Sequence, residues 1–171
     1  TRSELASPKT EWEKSCRRAR LKGLGSEATS FLFKHLLLPS EQRLARILPN
    51  STEFCKVCPT QTVADLSHCL FQCVSTQEVG DWLLSLVRQH DPSVTASKLI
   101  KLEFQSDEPT EMPIVWIIAQ TLLYLWKVRM DGKIASLIIT RAKLESKISL
   151  LRESRQQNVY TLMQEMLEIN M

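Results

Sequence analysis

The run Ile114-Val-Trp-Ile-Ile-Ala-Gln-Thr-Leu-Leu-Tyr-Leu-Trp126 is apolar on nearly every side. A helix of that kind cannot keep one face in water, so the rest of the chain has to wrap it. Only about 13 residues separate Pro113 from Lys127, whereas a membrane span takes roughly 20. The run therefore reads as a buried core helix, and no membrane association is expected. Pro113 suits the first position of that helix, and the acidic tract from Gln105 to Glu111 reads as the loop before it.

The wrapping is expected to be helical. The chain has 171 residues with 4 glycines and 7 prolines, too few left-handed positions for a many-stranded sheet. An all-α fold follows, with one small irregular insertion between helices. A short basic helix around Trp12 to Lys22 ends at Gly23 and Gly25, and a second helix capped by Ser26 closes at Pro39. Ser40 caps a third, carrying Glu41, Arg43, Leu44, Arg46, Ile47 and Leu48. Residues 51–67 have no helical period and read as an irregular loop or small hairpin. From His68, the apolar spacing through Cys69, Leu70, Cys73, Val79, Trp82, Leu83, Leu86 and Val87 gives one helix or two abutting ones, ending near His90-Asp91-Pro92. Ser93 to Phe104 forms another short helix. After Asp131-Gly132 the spacing of Ile134, Leu137, Leu144, Ile148 and Leu151 predicts one long amphipathic helix, with basic residues 141, 143, 147, 152 and 155 outside its seam. That seam either covers the domain's own core or pairs with a partner helix, self-association included. The expected division is a basic arm over 1–25, a helical domain over 26–130 and the amphipathic helix over 131–171.

Five cysteines are an odd count for a disulfide framework, and a reducing setting with metal ligation or buried thiols explains them better. Cys55 and Cys58 are spaced C-x2-C; after nine intervening residues comes His68, and Cys73 completes an H-x4-C pair. Two thiolates from one tight turn and a second pair from a turn of helix can meet on a single ion. Four soft ligands without a carboxylate fit closed, tetrahedral zinc. Such a site is structural, because it leaves no position for a water nucleophile. Residues 51–73 contain few apolar groups, so metal binding and local folding should be coupled. Cys69, adjacent to His68, would point away into the core unless it replaced a neighbour as ligand, and Cys16 is remote.

The net charge of +3 conceals an uneven distribution. Residues 1–50 carry 10 basic and 5 acidic side chains, residues 51–112 carry 4 and 9, and residues 113–171 carry 8 and 5. Lys14, Arg17, Arg18, Arg20 and Lys22 form a basic cluster suited to phosphates, and Trp12 beside it can stack on an unpaired base. No glycine-rich phosphate loop, G-x-S-x-G elbow, H-E-x-x-H helix or paired catalytic aspartates occur, so the chain is not expected to be an enzyme. Beginning at Thr1, it is expected to be a fragment of a longer product.

The run from Phe33 through Pro39 to Arg43-Leu44, the pair Cys55-x2-Cys58, the segment His68-Cys-Leu-Phe71 with Cys73, Trp82, and the helix end Trp126-Lys-Val-Arg129 together resemble a known module. They look like the zinc-binding C-terminal region of reverse transcriptases from non-LTR (LINE-type) retrotransposons, over about residues 28–145. The resemblance implies zinc on Cys55, Cys58, His68 and Cys73. It also implies a parent RNA-directed DNA polymerase working in the nucleus, upstream parts of that parent as neighbours, and a noncatalytic role in holding RNA or target DNA. The alternative is a protein-interaction or scaffold module with a structural zinc.

Overall fold

The computed structural model describes residues 38–152 and 157–168. Within them the protein is all-α: α1 (Glu41–Ala45), a π-helical turn (His68–Gln72), α2 (Gln77–Arg88), α3 (Ala96–Ile100), α4 (Glu108–Met130), α5 (Leu137–Arg152) and α6 (Gln157–Glu168). The basic cluster Trp12, Lys14, Arg17, Arg18, Arg20 and Lys22, Cys16, and both helices expected before Pro39 lie outside the described residues.

The largely apolar run is the axis of the fold. Ile114, Ile117, Leu122 and Leu125 are fully buried, and the π-turn, α2, α5 and α6 all pack on α4. No helix among the described residues is long and apolar enough to cross a membrane. The start of α4 differs from the sequence expectation. Asp107 is its N-cap and Pro109 its second residue, where the missing N–H costs nothing. Pro113 therefore sits inside the helix, and half of the acidic tract is helical rather than loop.

The C-terminal region also departs from the expectation. Where the spacing suggests one long helix, the structure has two, and the Arg141 guanidinium near the start of α5 donates to the Leu167 carbonyl near the end of α6 at 2.9 Å. The chain has doubled back. Leu144 and Ile148 of the proposed seam are buried in the chain's own core with Met163, Met166 and Leu167 of α6, whereas Ile134 is 77% exposed and lies ahead of α5. A 3.6-residue period cannot distinguish one helix from two that bury the same stripe.

Scarce glycine has two visible consequences. Helix α3 ends in a Schellman turn, with Glu103 N–H bonded to the Lys98 carbonyl at 2.8 Å and Leu102 N–H to that of Leu99 at 3.0 Å. The left-handed residue is Leu102, at φ 58°, a place usually given to glycine; its side chain is buried, which anchors the turn in the core. At Gly80 in α2 the constraint is steric, since an added Cβ would meet the Leu70 carbonyl oxygen at 2.8 Å and Phe71 Cα at 2.9 Å. Absence of a side chain lets α2 close on the π-turn. Helix propensity alone would make Gly80→Ala stabilising by up to about 1 kcal/mol. We expect instead a loss of roughly 1–3 kcal/mol, because backbone must move to admit the methyl. Chemical denaturation of the variant distinguishes the two signs.

Candidate metal centre

The segment before the π-turn is a small hairpin, one of the two forms its sequence allows. Phe54 and Val63 form an antiparallel bridge, flanked by bonds from Cys55 N–H to the Thr62 carbonyl and from Ala64 N–H to that of Glu53, both 2.8 Å. At its tip the Cys55–Cys58 turn closes with no left-handed residue. The backbone N–H groups of Val57 and Cys58 point at Cys55 Sγ, at 3.4 and 3.5 Å.

The second pair depends on a feature that the apolar spacing does not reveal. Residues five apart in an α-helix diverge by about 140°, which would separate His68 from Cys73. Here the chain makes one π-turn instead, with Cys73 N–H donating to the His68 carbonyl at 2.7 Å. The i→i+5 pairing brings residues 68 and 73 together. Asp65 receives the His68 N–H at 2.7 Å, and the buried Thr76 hydroxyl donates to the Cys69 carbonyl at 2.8 Å, satisfying a group that the turn frees.

Together the hairpin and turn bring Cys55, Cys58, His68 and Cys73 to one point, their ligand atoms all within 4.8 Å of one another. Cys55 Sγ and Cys58 Sγ each lie 3.8 Å from Cys73 Sγ, and His68 Nε2 is 3.4 Å from Cys58 Sγ. A tetrahedral zinc with ordinary bond lengths would set these edges near 3.8 Å between sulfurs and about 3.6 Å between sulfur and nitrogen. A disulfide needs about 2.05 Å, and all four cysteines of the described residues are free. The donor set and its edges fit one metal ion. Cys69 is not part of it. Fully buried, it faces α1, with Sγ 3.6 Å from Glu41 Oε2, and burial drives its thiol well above the ordinary range.

The hydrogen bonds around the ligands divide their charge. Burial alone would raise the Cys55 pKa, but the N–H groups of Cys58 and Val57 and the Arg129 guanidinium outweigh it and hold the thiol at about 6. Burial and neighbouring thiols push Cys58 up to about 11. Cys73 Sγ has the Ser75 hydroxyl at 3.3 Å.

Arg129, at the end of α4, is a residue to which the ligand spacing does not point. Its Nη2 lies 3.4 Å from Cys55 Sγ and 2.6 Å from Glu41 Oε1, and the two side chains of this ion pair are only 5% and 10% exposed. Arg129 so joins the ligand cluster to α1, which also touches the hairpin through Gln42 N–H and the Ala64 carbonyl at 3.1 Å. The available sequence signal was the basic end of an otherwise apolar helix: a charge at the end of a core helix needs a buried partner. No protein-family model, curated protein or solved structure matches this chain.

Proposed function

We propose that this chain is a noncatalytic, zinc-stabilised helical module that contacts nucleic acid, the C-terminal part of a non-LTR retrotransposon reverse transcriptase. The observation that carries the reading is the convergence of Cys55, Cys58, His68 and Cys73, whose ligand atoms lie within 4.8 Å of one another with three of the edges at 3.4 to 3.8 Å. Three cysteines and one histidine select zinc over harder cations and leave no coordination site for chemistry. The four bind the ion, and the ion in turn fixes a hairpin that has little apolar content of its own. Segments that carry the family resemblance also meet there, since Glu41 lies within the Pro39-to-Leu44 segment, Arg129 ends the Trp126-x-x-Arg129 helix, and both touch the cysteine-bearing elements. Nucleic-acid contact is assigned to Trp12, Lys14, Arg17, Arg18, Arg20 and Lys22.

The test is binding of labelled single-stranded RNA and DNA across a salt series. Affinity should fall steeply with salt, and Arg17→Ala/Arg18→Ala/Arg20→Ala should lower the log–log slope by about 0.7 for each phosphate no longer neutralised. Absent or salt-insensitive binding by the zinc-loaded chain overturns the reading.

A further inference from the structure

The geometry points to a second nucleic-acid contact, a phosphate-binding groove between α4 and α5, on the side chains of Lys127, Lys143 and Lys147. The inference rests on the nucleic-acid reading above and assigns it a site in the helical body. The groove has a volume of about 320 Å³ and is lined by those lysines with Gln120, Tyr124 and Thr121 among others, near the lower end of the small-ligand range. No carboxylate among the described residues lines it.

What separates this groove from an ordinary solvated lysine face is how the charges are held. Lys143 Nζ sits over the Tyr124 ring, 4.8 Å from its centroid, and Lys147 Nζ donates to Gln120 Oε1 at 2.6 Å. Both partners are neutral, so they position the ammonium groups without cancelling their charge. Positioned, unneutralised cations around a concavity bind a phosphate without first having to be ordered. A further polar group at the groove lacks a partner: Thr121 lines it, fully buried, and its hydroxyl makes no hydrogen bond. A hydroxyl left unpaired in a core is uncommon, and this one lies in the wall beneath the lysines rather than on the groove surface. A nucleotide strand suits the groove better than an isolated anion, because Lys143 and Lys147 on α5 and Lys127 on α4 offer several cations to successive phosphates.

The experiment uses the full, zinc-loaded chain with a fluorescent single-stranded oligonucleotide over a salt series, beside Lys143→Gln/Lys147→Gln and the charge-preserving Lys143→Arg/Lys147→Arg. Both lysines are exposed, and unchanged helical circular dichroism confirms that the variants fold. The glutamine pair should weaken binding on the order of tenfold at about 0.1 M salt and reduce the salt slope by about 1.4, while the arginine pair retains most of it. Oligonucleotide binding by the unaltered chain that both pairs leave unchanged overturns the groove and spares the proposed function. No binding by the unaltered chain overturns both. Displacement of the oligonucleotide from the unaltered chain by millimolar inorganic phosphate at fixed ionic strength would reduce the site to a simple anion pocket and overturn the assignment to a strand.

Discussion

The purified chain is expected to carry one zinc per molecule, and Cys58→Ser to carry none. Cys58 is the ligand to change because it lies at the hairpin tip and is only partly buried, so oxygen in place of sulfur creates little steric disturbance. What it loses is a thiolate, and a hydroxyl does not replace a thiolate on zinc at neutral pH. Because residues 51–67 hold few apolar side chains, a bound ion would supply much of what fixes them, and its binding energy would count as folding energy. Apparent values for small structural zinc sites are about 10–16 kcal/mol; with a helical core beneath, we expect a loss of roughly 3–5 kcal/mol, on the scale of removing a native cross-link. Chelation of the unaltered chain should produce the same thermal melt as Cys58→Ser, and a metal-free protein that melts like the original would refute the centre. Helical dichroism should change little at low temperature, since α2, α4, α5 and α6 supply none of the four ligands.

Replacing Arg129 should cost more than replacing Glu41, although the two form a single ion pair. With zinc bound, a closed Cys3His centre would carry one net negative charge, so Arg129 would stand between two anions, the ligand cluster and the Glu41 carboxylate. Arg129→Met leaves those anions facing each other without a cation, for which about 3–5 kcal/mol is the usual scale when one member of a buried pair is removed. Glu41→Gln keeps a hydrogen-bond acceptor for Arg129, which retains the thiolate side as counter-charge, so about 1–3 kcal/mol is expected. Denaturant midpoints at pH 7 order the two, and the reverse order would mean that Arg129 has no electrostatic link to the cysteines. The acid response follows from Glu41. Burial opposes its ionisation, but Arg129 outweighs that and holds the carboxyl below its ordinary value. Its contribution is therefore present above the unfolded pKa near 4.3 and is lost as pH falls through the lower folded value. Glu41→Gln should flatten that limb of the stability curve.

How much of this the sequence disclosed differed by element. The ligand quartet was legible because C-x2-C and H-x4-C are short-range spacings, and the core helix because an all-round apolar run has only one soluble solution. The Ser40 cap was readable as well: its side chain accepts the Arg43 N–H at 3.3 Å. The π-turn was not, since His68-x4-Cys73 looks like a slightly misphased α-helix until one asks how both side chains face one point. Nor was the break between α5 and α6, because both helices bury the same kind of stripe. The Glu41–Arg129 pair joins positions 88 residues apart, and no local pattern encodes such a partner.

That separation orders assembly in time. Cys55 and Cys73 are 18 residues apart, against 88 for Glu41 and Arg129, and closing the longer loop costs about 1.4 kcal/mol more in chain entropy. During synthesis Arg129 is added about 56 residues after Cys73, roughly 3–11 s later at ordinary elongation rates. All four side chains can thus come together while the helix that supplies Arg129 is still being made, and a metal ion held by them would be in place before Arg129 packs against Cys55.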